Sequence, residues 1–410
     1  MNAVRKEQGQ QLLQPRNISA PADRPWQTVP AVNILPAPTW KHLGVNAASF
    51  PVLANVSGRA RTLPEQFVNL ATGMGPAAEK FVLDHSTEYH LLEIPAGKQA
   101  ELITLGHTLG SGEYVGDVTL IHAGAGSSVT VLQSYVGTEQ AKPKMKNILV
   151  EQTPVTVGAQ IDTGDRSAIA APKKGEAAAV TKLLPAQHAG LTKIIAEDGA
   201  TVRLFQVQML DKQSHHFSDV GVTVGAGAKV EIYQAELGGA QAFAGGLAEL
   251  SGYQGRFTAD TVYFGDAERK IDLNYVARHT GKKTRSQMRA AGALFAGSDK
   301  IYRGTLDFRN GAVKAVGHET EETLLFSPAA RNRTVPLILC DEEDVEGQHA
   351  ASIGRMSPAR QFYLQSRGLS EAQIKQLAVE AMFAPLVDKL PDEKLRQQVR
   401  VYLGRSIAID

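Results

Sequence analysis

One histidine, His349, stands in a setting that would leave an imidazole open to chemistry. Gly347 precedes it, and Ala350, Ala351 and Ser352 follow it. Small residues let a backbone or a partner approach a side chain closely, and a neutral imidazole is a good ligand for iron. A lone histidine between small residues is also often a hydrogen-bonded structural side chain, so the residues alone leave both roles open.

The only cysteine of the chain, Cys340, follows the apolar run Val335-Pro-Leu-Ile-Leu. Free cysteine often packs as a small apolar side chain, and no basic cluster adjoins it in the sequence, so we expect a buried, unreactive thiol. A single thiol excludes a disulfide framework and a CxxC zinc site. It also cannot supply the several thiolates that usually hold an iron–sulfur cluster. A reducing, cytoplasmic location fits this cysteine usage best.

Other motifs that could carry chemistry do not match known enzyme signatures. The segment 318–322, HETEE, lacks the second histidine of the HExxH zinc motif, and we expect a charged loop. His215 and His216 are adjacent and would point to opposite faces of a strand, so they cannot bind one metal together in regular geometry. We expect both rings at the surface.

Composition and charge exclude several classes of partner. The chain has 410 residues, with 43 basic and 42 acidic side chains. This balance gives no electrostatic basis for binding nucleic acid or an anionic membrane. No run of about 18 apolar residues predicts a transmembrane helix, and the N-terminal residues lack the apolar centre of a signal peptide.

Short apolar alternations separated by glycine turns fill the chain from His90 onward. Four segments share a glycine turn that leads into an alternating strand: 94–102, 123–131, 196–204 and 224–232. Weaker versions occur at 264–267 and 295–298. Within each pair of neighbouring segments, the glycines are roughly 30 residues apart, a period typical of solenoids. The pattern predicts a β-solenoid, although an ordinary β-sandwich with glycine turns stays open on this pattern alone.

The two ends of the chain have a different character, which predicts three regions. Residues 1–84 form a mixed, partly helical region rich in proline, residues 85–355 the β-helix core, and residues 356–410 a helical region. In the last region an apolar stripe has helical spacing. Its members are Ile374, Leu377, Ala378, Ala381, Met382 and Leu386. Ser370 is expected to cap this helix, Pro385 to kink or end it, and Gly404 to end the next one.

Around His349 and in several other segments, the chain resembles the SufB/SufD family of iron–sulfur cluster assembly proteins, and within it the SufD branch. The specific segments are 344–354, DVEGQHAASIG, and 362–368, FYLQSRG. Further similar segments are 35–40, LPAPTW, the pair 303–304, RG, and 331–334, RNRT. The SufB-type ending His-Glu-Ala-Thr-Thr is missing, which favours SufD over SufB.

The resemblance implies a mainly β protein, a right-handed parallel β-helix flanked by N-terminal and C-terminal helical regions. It implies a non-catalytic scaffold that pairs with a SufB-like subunit. A SufC-like ATPase would bind the C-terminal helices, where Ile374, Leu377, Ala381 and Met382 lie. His349 would be an iron ligand of a transient cluster at the junction of the two subunits, and the partner would supply thiolate and carboxylate ligands.

The resemblance also implies a source of sulfur and a second cofactor. A cysteine desulfurase system would deliver sulfur to the complex as persulfide, and reduced flavin would be associated with the complex, while the isolated chain would hold neither cofactor stably. Many SufD relatives carry cysteine two residues before the histidine, where this chain has Gly347. No sulfur-handling role can therefore be carried over to that position.

Three other functions stay open on the sequence. The chain could be a SufB-like scaffold that works as a homodimer, although its shortage of cysteine argues against this. It could be a carbohydrate-active β-helix enzyme that uses the strand carboxylates Asp272 and Asp307 as its acid–base pair. It could also be a structural adaptor in which His349 has no chemistry.

Overall fold

A computed structural model describes residues 26–36, 45, 48–53, 56, 58–138, 160–163 and 184–409. Residues 37–40 of the proline-rich LPAPTW segment lie outside the described residues. The protein is mainly β, and its parallel strands form a solenoid of about eight coils. The solenoid predicted from the glycine turns is therefore confirmed, and the β-sandwich alternative is wrong.

The strands and helices follow one another as a long β region and a short helical end. The strands are β1 (Trp26–Val29), β2 (Phe50–Leu53), β3 (Glu88–Ile94), β4 (Gln99–Leu109), β5 (Tyr114–Ala123), β6 (Ser128–Gly137), β7 (Gln160–Thr163), β8 (Gln187–Ala196), β9 (Thr201–Met209), β10 (His215–Val224), β11 (Lys229–Glu236), β12 (Gln241–Leu250), β13 (Arg256–Gly265), β14 (Lys270–His279), β15 (Arg285–Leu294), β16 (Asp299–Phe308), β17 (Ala315–Leu325), β18 (Arg331–Cys340) and β19 (Val345–Gly354). The helices are α1 (Glu65–Val68), α2 (Pro76–Asp84), α3 (Pro358–Ser366), α4 (Glu371–Val387) and α5 (Glu393–Ile409).

Two sheets form the walls of the solenoid, and each coil contributes one strand to each wall. One sheet has the order β18-β16-β14-β12-β10-β8-β5-β3-β7, and the other has the order β19-β17-β15-β13-β11-β9-β6-β4. All of these neighbours are parallel except β7, which pairs antiparallel with β3 at the N-terminal end. Most paired positions on successive coils are 26 to 32 residues apart, from His215 and Gln241 to Asp299 and Arg331. The pairs β5–β8 and β6–β9 are separated by 73 residues.

The glycines of the sequence repeat lie in one column of turns. Gly97, Gly126, Gly199 and Gly227 all have a positive φ, between 63° and 70°. The backbone N–H of each donates to a carbonyl of the turn in the next coil at 2.8 Å. Glycine suits this left-handed backbone because it has no Cβ to clash with the following carbonyl. The stacked turns fix the register between coils.

The lumen of the solenoid is apolar on one side and polar on the other. Its apolar side holds aliphatic and aromatic residues from both sheets, such as Ile194, Leu204, Val222 and Phe257. On the polar side, glutamine side chains bond from coil to coil: the amides of Gln206 and Gln234 donate to the oxygens of Gln133 and Gln206, each at 2.7 Å. Buried polar groups are tolerated there because they bond to one another.

The N-terminal region lies on the outer face of the nine-stranded sheet. The Asn33 amide donates to the Asp272 carboxylate at 2.7 Å, and the Arg303 guanidinium donates to the same carboxylate and to the Val45 carbonyl. Asp272 is thus buried and paired in the interior. The ring of His215 packs against Phe50 under the same cover, with centroids 6.2 Å apart, so the expectation of a surface ring is wrong.

The two strand carboxylates considered for glycan chemistry are not a pair. Asp272 is in register with Ile301, whereas Asp307 is in register with Arg278. Asp307 therefore lies six positions further along the strands than Asp272, a separation of roughly 20 Å. Both carboxylates are buried in ion pairs with arginine. A carbohydrate-active site built on these two residues is therefore excluded.

The C-terminal helices pack on the outer face of the eight-stranded sheet. Ser370 caps α4 with a reciprocal capping box, as the sequence predicts. Pro385 lies inside α4, which ends two residues later. The expectation that Gly404 ends its helix is wrong, since α5 continues to Ile409 and the small residue lies against Gln376 of α4. Within the described chain, none of the helices is both long and apolar enough to cross a membrane.

Candidate functional site at the open end of the solenoid

The last coil, formed by β18 and β19, is an uncovered end. Over the described residues, neither strand pairs with a further strand on its outer edge. Every residue of β19 after Val345 is exposed, including the apolar Ile353, which is 46% exposed. A ten-residue edge strand with free N–H and C=O groups is a template for pairing with another chain.

His349 lies at the mouth of the lumen. In β19, a Cβ on Gly347 would lie 3.0 Å from the Phe308 ring inside the solenoid, so position 347 faces inward. Alternation then turns His349, two residues later, to the same side. Its register partner on β17 is Glu319, which is buried in the lumen. The imidazole is exposed only because no coil follows.

Cys340 lies in the same open end, and the expectation of a buried thiol is wrong. The thiol is exposed and donates a hydrogen bond to the Glu342 carbonyl at 3.1 Å. Cys340 ends β18, and Gly347 lies on β19, the strand that carries His349. The two residues line one depression at the mouth of the lumen. The physical reason is that Cys340 faces inward on the last coil, and no further coil of the described chain packs over the thiol.

A carboxylate holds the turn between the two last strands. Glu342 accepts hydrogen bonds from the backbone N–H groups of Gly311 and Glu343, both at 3.0 Å. These bonds, first that of Gly311, lower the pKa of the Glu342 carboxyl. Glu342 therefore ties the last coil to the one beneath it and fixes the rim of the depression.

Directly beneath His349, the lumen holds a buried carboxyl beside a tyrosine. A Cβ on Gly304 would lie 2.9 Å from both the Glu319 Cδ and the Tyr302 hydroxyl, so the absence of a side chain at Gly304 makes room for these groups. Burial, together with the neighbouring Glu321 carboxylate, raises the pKa of Glu319 to about 7. Glu319 is 3% exposed.

The second carboxylate of this cluster, that of Glu321, forms an ion pair with a buried lysine. Lys300 donates to Glu321, and its ammonium also donates to the Asn332 side chain of the last coil at 3.0 Å. The Tyr263 hydroxyl donates to Glu321 at 3.3 Å. Burial lowers the pKa of Lys300 to about 8, an effect that Glu321 opposes. The ion pair joins β16 and β17 of one coil through the lumen, and the bond to Asn332 links that coil to the last one.

The HETEE segment is a strand and not the charged loop predicted from the sequence. It lies in β17, where Glu319 and Glu321 face the lumen while His318 and Glu322 face solvent. From Gly317 to Thr323, inward and outward residues alternate with a period of two. This period was the signal in the sequence that could have predicted a strand. The charge of the segment suggested that its side chains are exposed to solvent. Lys300 and Tyr302 from β16 instead interact with the inward carboxyls.

A second cluster of titratable groups fills the lumen near the N-terminal end. The Nε2 atom of His188 lies 2.9 Å from the Asp117 carboxylate, and its Nδ1 atom is in hydrogen-bond contact with the His216 Nδ1 atom at 3.0 Å. The Tyr135 hydroxyl donates to Asp117 at 2.8 Å. Although burial opposes it, pairing with His188 holds the pKa of Asp117 below its usual range. The surface position expected for His216 is wrong, because the solenoid buries its ring.

The four helix residues considered for partner binding divide between two faces of α4. Ile374 is buried, and Met382 is half-buried against the apolar layer over the sheet. Leu377 and Ala381 are exposed on the other side. The predicted stripe is not a single face, because α4 is apolar around much of its circumference and spacing could not tell which side meets the sheet.

A shallow groove runs between α4 and α5 on the exposed side. It is lined by Gln376, Glu380, Gln397, Arg400, Val401, Gly404 and Arg405. Val401 is the apolar side chain in this lining and is 41% exposed, while Leu377, the neighbour of Gln376 on α4, is 48% exposed.

No three side chains of His, Cys, Asp or Glu converge on a metal site within the described ranges.

Comparison with known proteins assigns a family to most of the solenoid. Residues 160–382, which include His349, match the family model described as "SUF system FeS cluster assembly, SufBD core domain". The iron–sulfur cluster assembly protein SufD of Bacillus subtilis is 26% identical over 218 residues, 53% of this chain and 50% of that protein. SufD of Escherichia coli is 33% identical over 113 residues, 27% of each chain.

A SufBD family protein of Pyrococcus horikoshii is 28% identical over 206 residues, 50% of this chain and 46% of that protein. The chain thus spans half or less of the length of these curated relatives in the matched segments.

Proposed function

The chain belongs to the SufB/SufD family of iron–sulfur cluster assembly proteins, and from this membership we propose that it is a SufD-type scaffold subunit. In this proposal it pairs end to end with a SufB-like subunit, binds a SufC-like ATPase, and contributes one ligand to a nascent cluster at the junction. ATP hydrolysis belongs to the ATPase. The observation that supports the proposal best is the uncovered last coil, which places His349 on a free edge.

The pairing is proposed to occur by addition of a second solenoid to the last coil. The outer edges of β18 and β19 offer backbone groups for two new strands, and β-strand addition is a common mode of recognition. Ile353 supplies an apolar contact at the rim. A charge at this position should therefore disrupt the pairing.

Pull-down of the SufB-like subunit from the native cell tests this step. We expect Ile353→Asp to lower the recovered partner by about tenfold or more, the effect of removing a central contact. Val68→Asp is the matched control, since Val68 is also apolar and 54% exposed but lies on α1. Equal recovery with Ile353→Asp and with the control would contradict pairing at this end.

His349 is proposed to bind iron of the transient cluster through one ring nitrogen, while the partner supplies thiolate and carboxylate ligands. A site shared between two chains releases its product more readily than a closed cage, which suits a scaffold. Purification of the complex with His349→Ala, followed by iron and sulfide analysis, tests this role. We expect assembly of the complex to be unchanged and its cluster content to fall about tenfold or more. Wild-type cluster content would refute it.

The ATPase is proposed to dock on the groove between α4 and α5, with Leu377 and Ala381 as its apolar contacts. Leu377→Asp should reduce ATPase recovery by about tenfold while leaving the SufB-like partner bound, because the two surfaces are on different elements. Val68→Asp again serves as the control. Loss of both partners from a variant that keeps the wild-type unfolding midpoint would contradict separate docking sites.

The sulfur source and the second cofactor are proposed at the level of the complex. Persulfide from a cysteine desulfurase system is proposed to reach the partner subunit, because Gly347 offers no thiol. Reduced flavin is proposed for the complex and not for this chain, since neither depression described above is lined by a pair of aromatic rings. Recovery of a complex that contains two copies of this chain and no SufB-like subunit would favour the homodimer instead.

A further inference from the structure

A buried carboxyl with a free oxygen lies under the last coil. The Glu319 Oε1 atom is buried and has no hydrogen-bond partner among the described residues. A buried acceptor without a donor is unfavourable, and such groups in native proteins usually have a function or a missing partner. The oxygen belongs to a residue that faces the open end of the lumen.

The nearest position in the next coil is His349. Glu319 and His349 are register partners on β17 and β19, with both side chains on the inward face. Neighbouring strands are roughly 4.8 Å apart. At that spacing a glutamate and a histidine on one face are within reach of a hydrogen bond.

The other inward carboxylate of β17 cannot take this role. Glu321 accepts from Lys300 and Tyr263, and its own register partner is Ala351. Within the described part of the chain, the second oxygen of Glu321 also lacks a hydrogen-bond partner, but no titratable side chain stands opposite it. Of the two inward carboxyls of β17, only Glu319 is in register with a histidine.

We propose that Glu319 is a positioning residue for His349. It accepts a hydrogen bond from one ring N–H of the imidazole, which leaves the other ring nitrogen unprotonated and directed out of the lumen. A histidine that ligates a metal nearly always donates its second ring N–H in this way, because that bond fixes both tautomer and ring orientation. The functional meaning of the pairing rests on the proposed role of His349 as a ligand.

Nitrogen NMR of the full chain labelled with ¹⁵N-histidine tests the pairing without any cluster. The difference between the two ring-nitrogen shifts of His349, assigned with His349→Gln, reports which nitrogen carries the proton. We expect one tautomer to dominate in the wild type. Glu319→Ala should move the tautomer ratio by about tenfold, the effect of losing one hydrogen bond.

Two further variants keep the test decisive. Glu319→Gln preserves size and one acceptor oxygen, so it should fold and retain most of the tautomer bias. Glu322→Ala is the matched control on the outer face of the same strand and should change nothing. An unchanged tautomer ratio in the folded Glu319→Ala protein would overturn the inference.

The outcome is distinguishable from failure of the proposed function. In the purified complex, Glu319→Ala should lower cluster content about tenfold or more through His349. A shifted tautomer ratio, together with full cluster content in His349→Ala, would refute the ligand role and leave the pairing intact. An unchanged ratio, together with loss of cluster in His349→Ala, would refute the pairing and leave the ligand role intact.

Discussion

Replacement of His279 should reduce the loss in the free energy of unfolding that the solenoid shows as the pH falls. The ring lies in the lumen at the end of β14, bonded to the hydroxyls of Thr284 at 2.7 Å and Ser286 at 2.8 Å, and stacked on Phe308. Burial lowers its pKa from 6.5 to about 4. The ring is therefore neutral in the folded protein at pH values where it is protonated in the unfolded chain.

The sign and size of the effect follow from linkage. Between pH 6.5 and 4 the unfolded state binds the extra proton, so the contribution of His279 to stability is complete above pH 6.5 and is lost as the pH falls. With about 1.4 kcal/mol for each pKa unit, the loss is about 2 kcal/mol at pH 5 and approaches about 3.4 kcal/mol below pH 4.

Denaturant unfolding at pH 7.5 and pH 5 measures this contribution as a difference between proteins. The glutamine of His279→Gln can still bond to both hydroxyls but does not titrate, so the stability gap between wild type and variant should shift by about 2 kcal/mol in favour of the variant at pH 5. The comparison is needed because burial raises the pKa values of Asp219 and Glu236 to about 7, which makes these carboxyls favour folding as the pH falls.

A buried ring without a titratable group provides the control. Phe257→Leu removes a ring from the same lumen, and its cost should be equal at the two pH values. A stability gap for His279→Gln that is also the same at pH 7.5 and pH 5 would refute the reasoning, since it would mean that the imidazole gains its proton equally in both states.

Three further predictions concern the parts that hold the solenoid together. Arg303→Met should destabilise the fold by about 3–5 kcal/mol in denaturant unfolding, because it leaves the buried Asp272 carboxylate without its cation; a loss below about 1 kcal/mol would contradict this. Gly227→Ala should cost about 1–2 kcal/mol through backbone strain alone, since a Cβ there meets no atom within 4 Å; an unchanged midpoint would contradict it. Phe383→Ala should cost about 3–5 kcal/mol and expose α4 to protease, and intact helices would contradict it.

The coil repeat could be predicted from the sequence only where glycine marks the turn. Gln254, Lys283 and Lys314 adopt the same left-handed conformation as the glycines, with φ between 56° and 60°. The N–H groups of Gln254 and Lys283 also donate to the next turn. Their side chains hide the repeat, because a left-handed backbone at a non-glycine residue is set by the stacked neighbours and not by local preference.

The sequence predicted His349 but not Glu319 of the candidate site, for a related reason. His349 could be identified from its small neighbours, but its exposure comes from the absence of a further coil, which no local pattern encodes. Glu319 was read as a solvated charge because single-sequence reasoning places carboxylates outside. Burial of that carboxyl depends on Gly304 and Tyr302, which reach it only through the closure of the coil.

Detection of the imidazole on the cluster itself tests the central claim most directly. Pulsed electron paramagnetic resonance of the reduced, cluster-loaded complex, with this chain labelled with ¹⁵N-histidine, reports a nitrogen bound to iron through its hyperfine coupling. The account predicts a ¹⁵N coupling in the wild-type complex that disappears in His349→Gln. A wild-type spectrum without ¹⁵N coupling, or a coupling that persists unchanged in the variant, would contradict it.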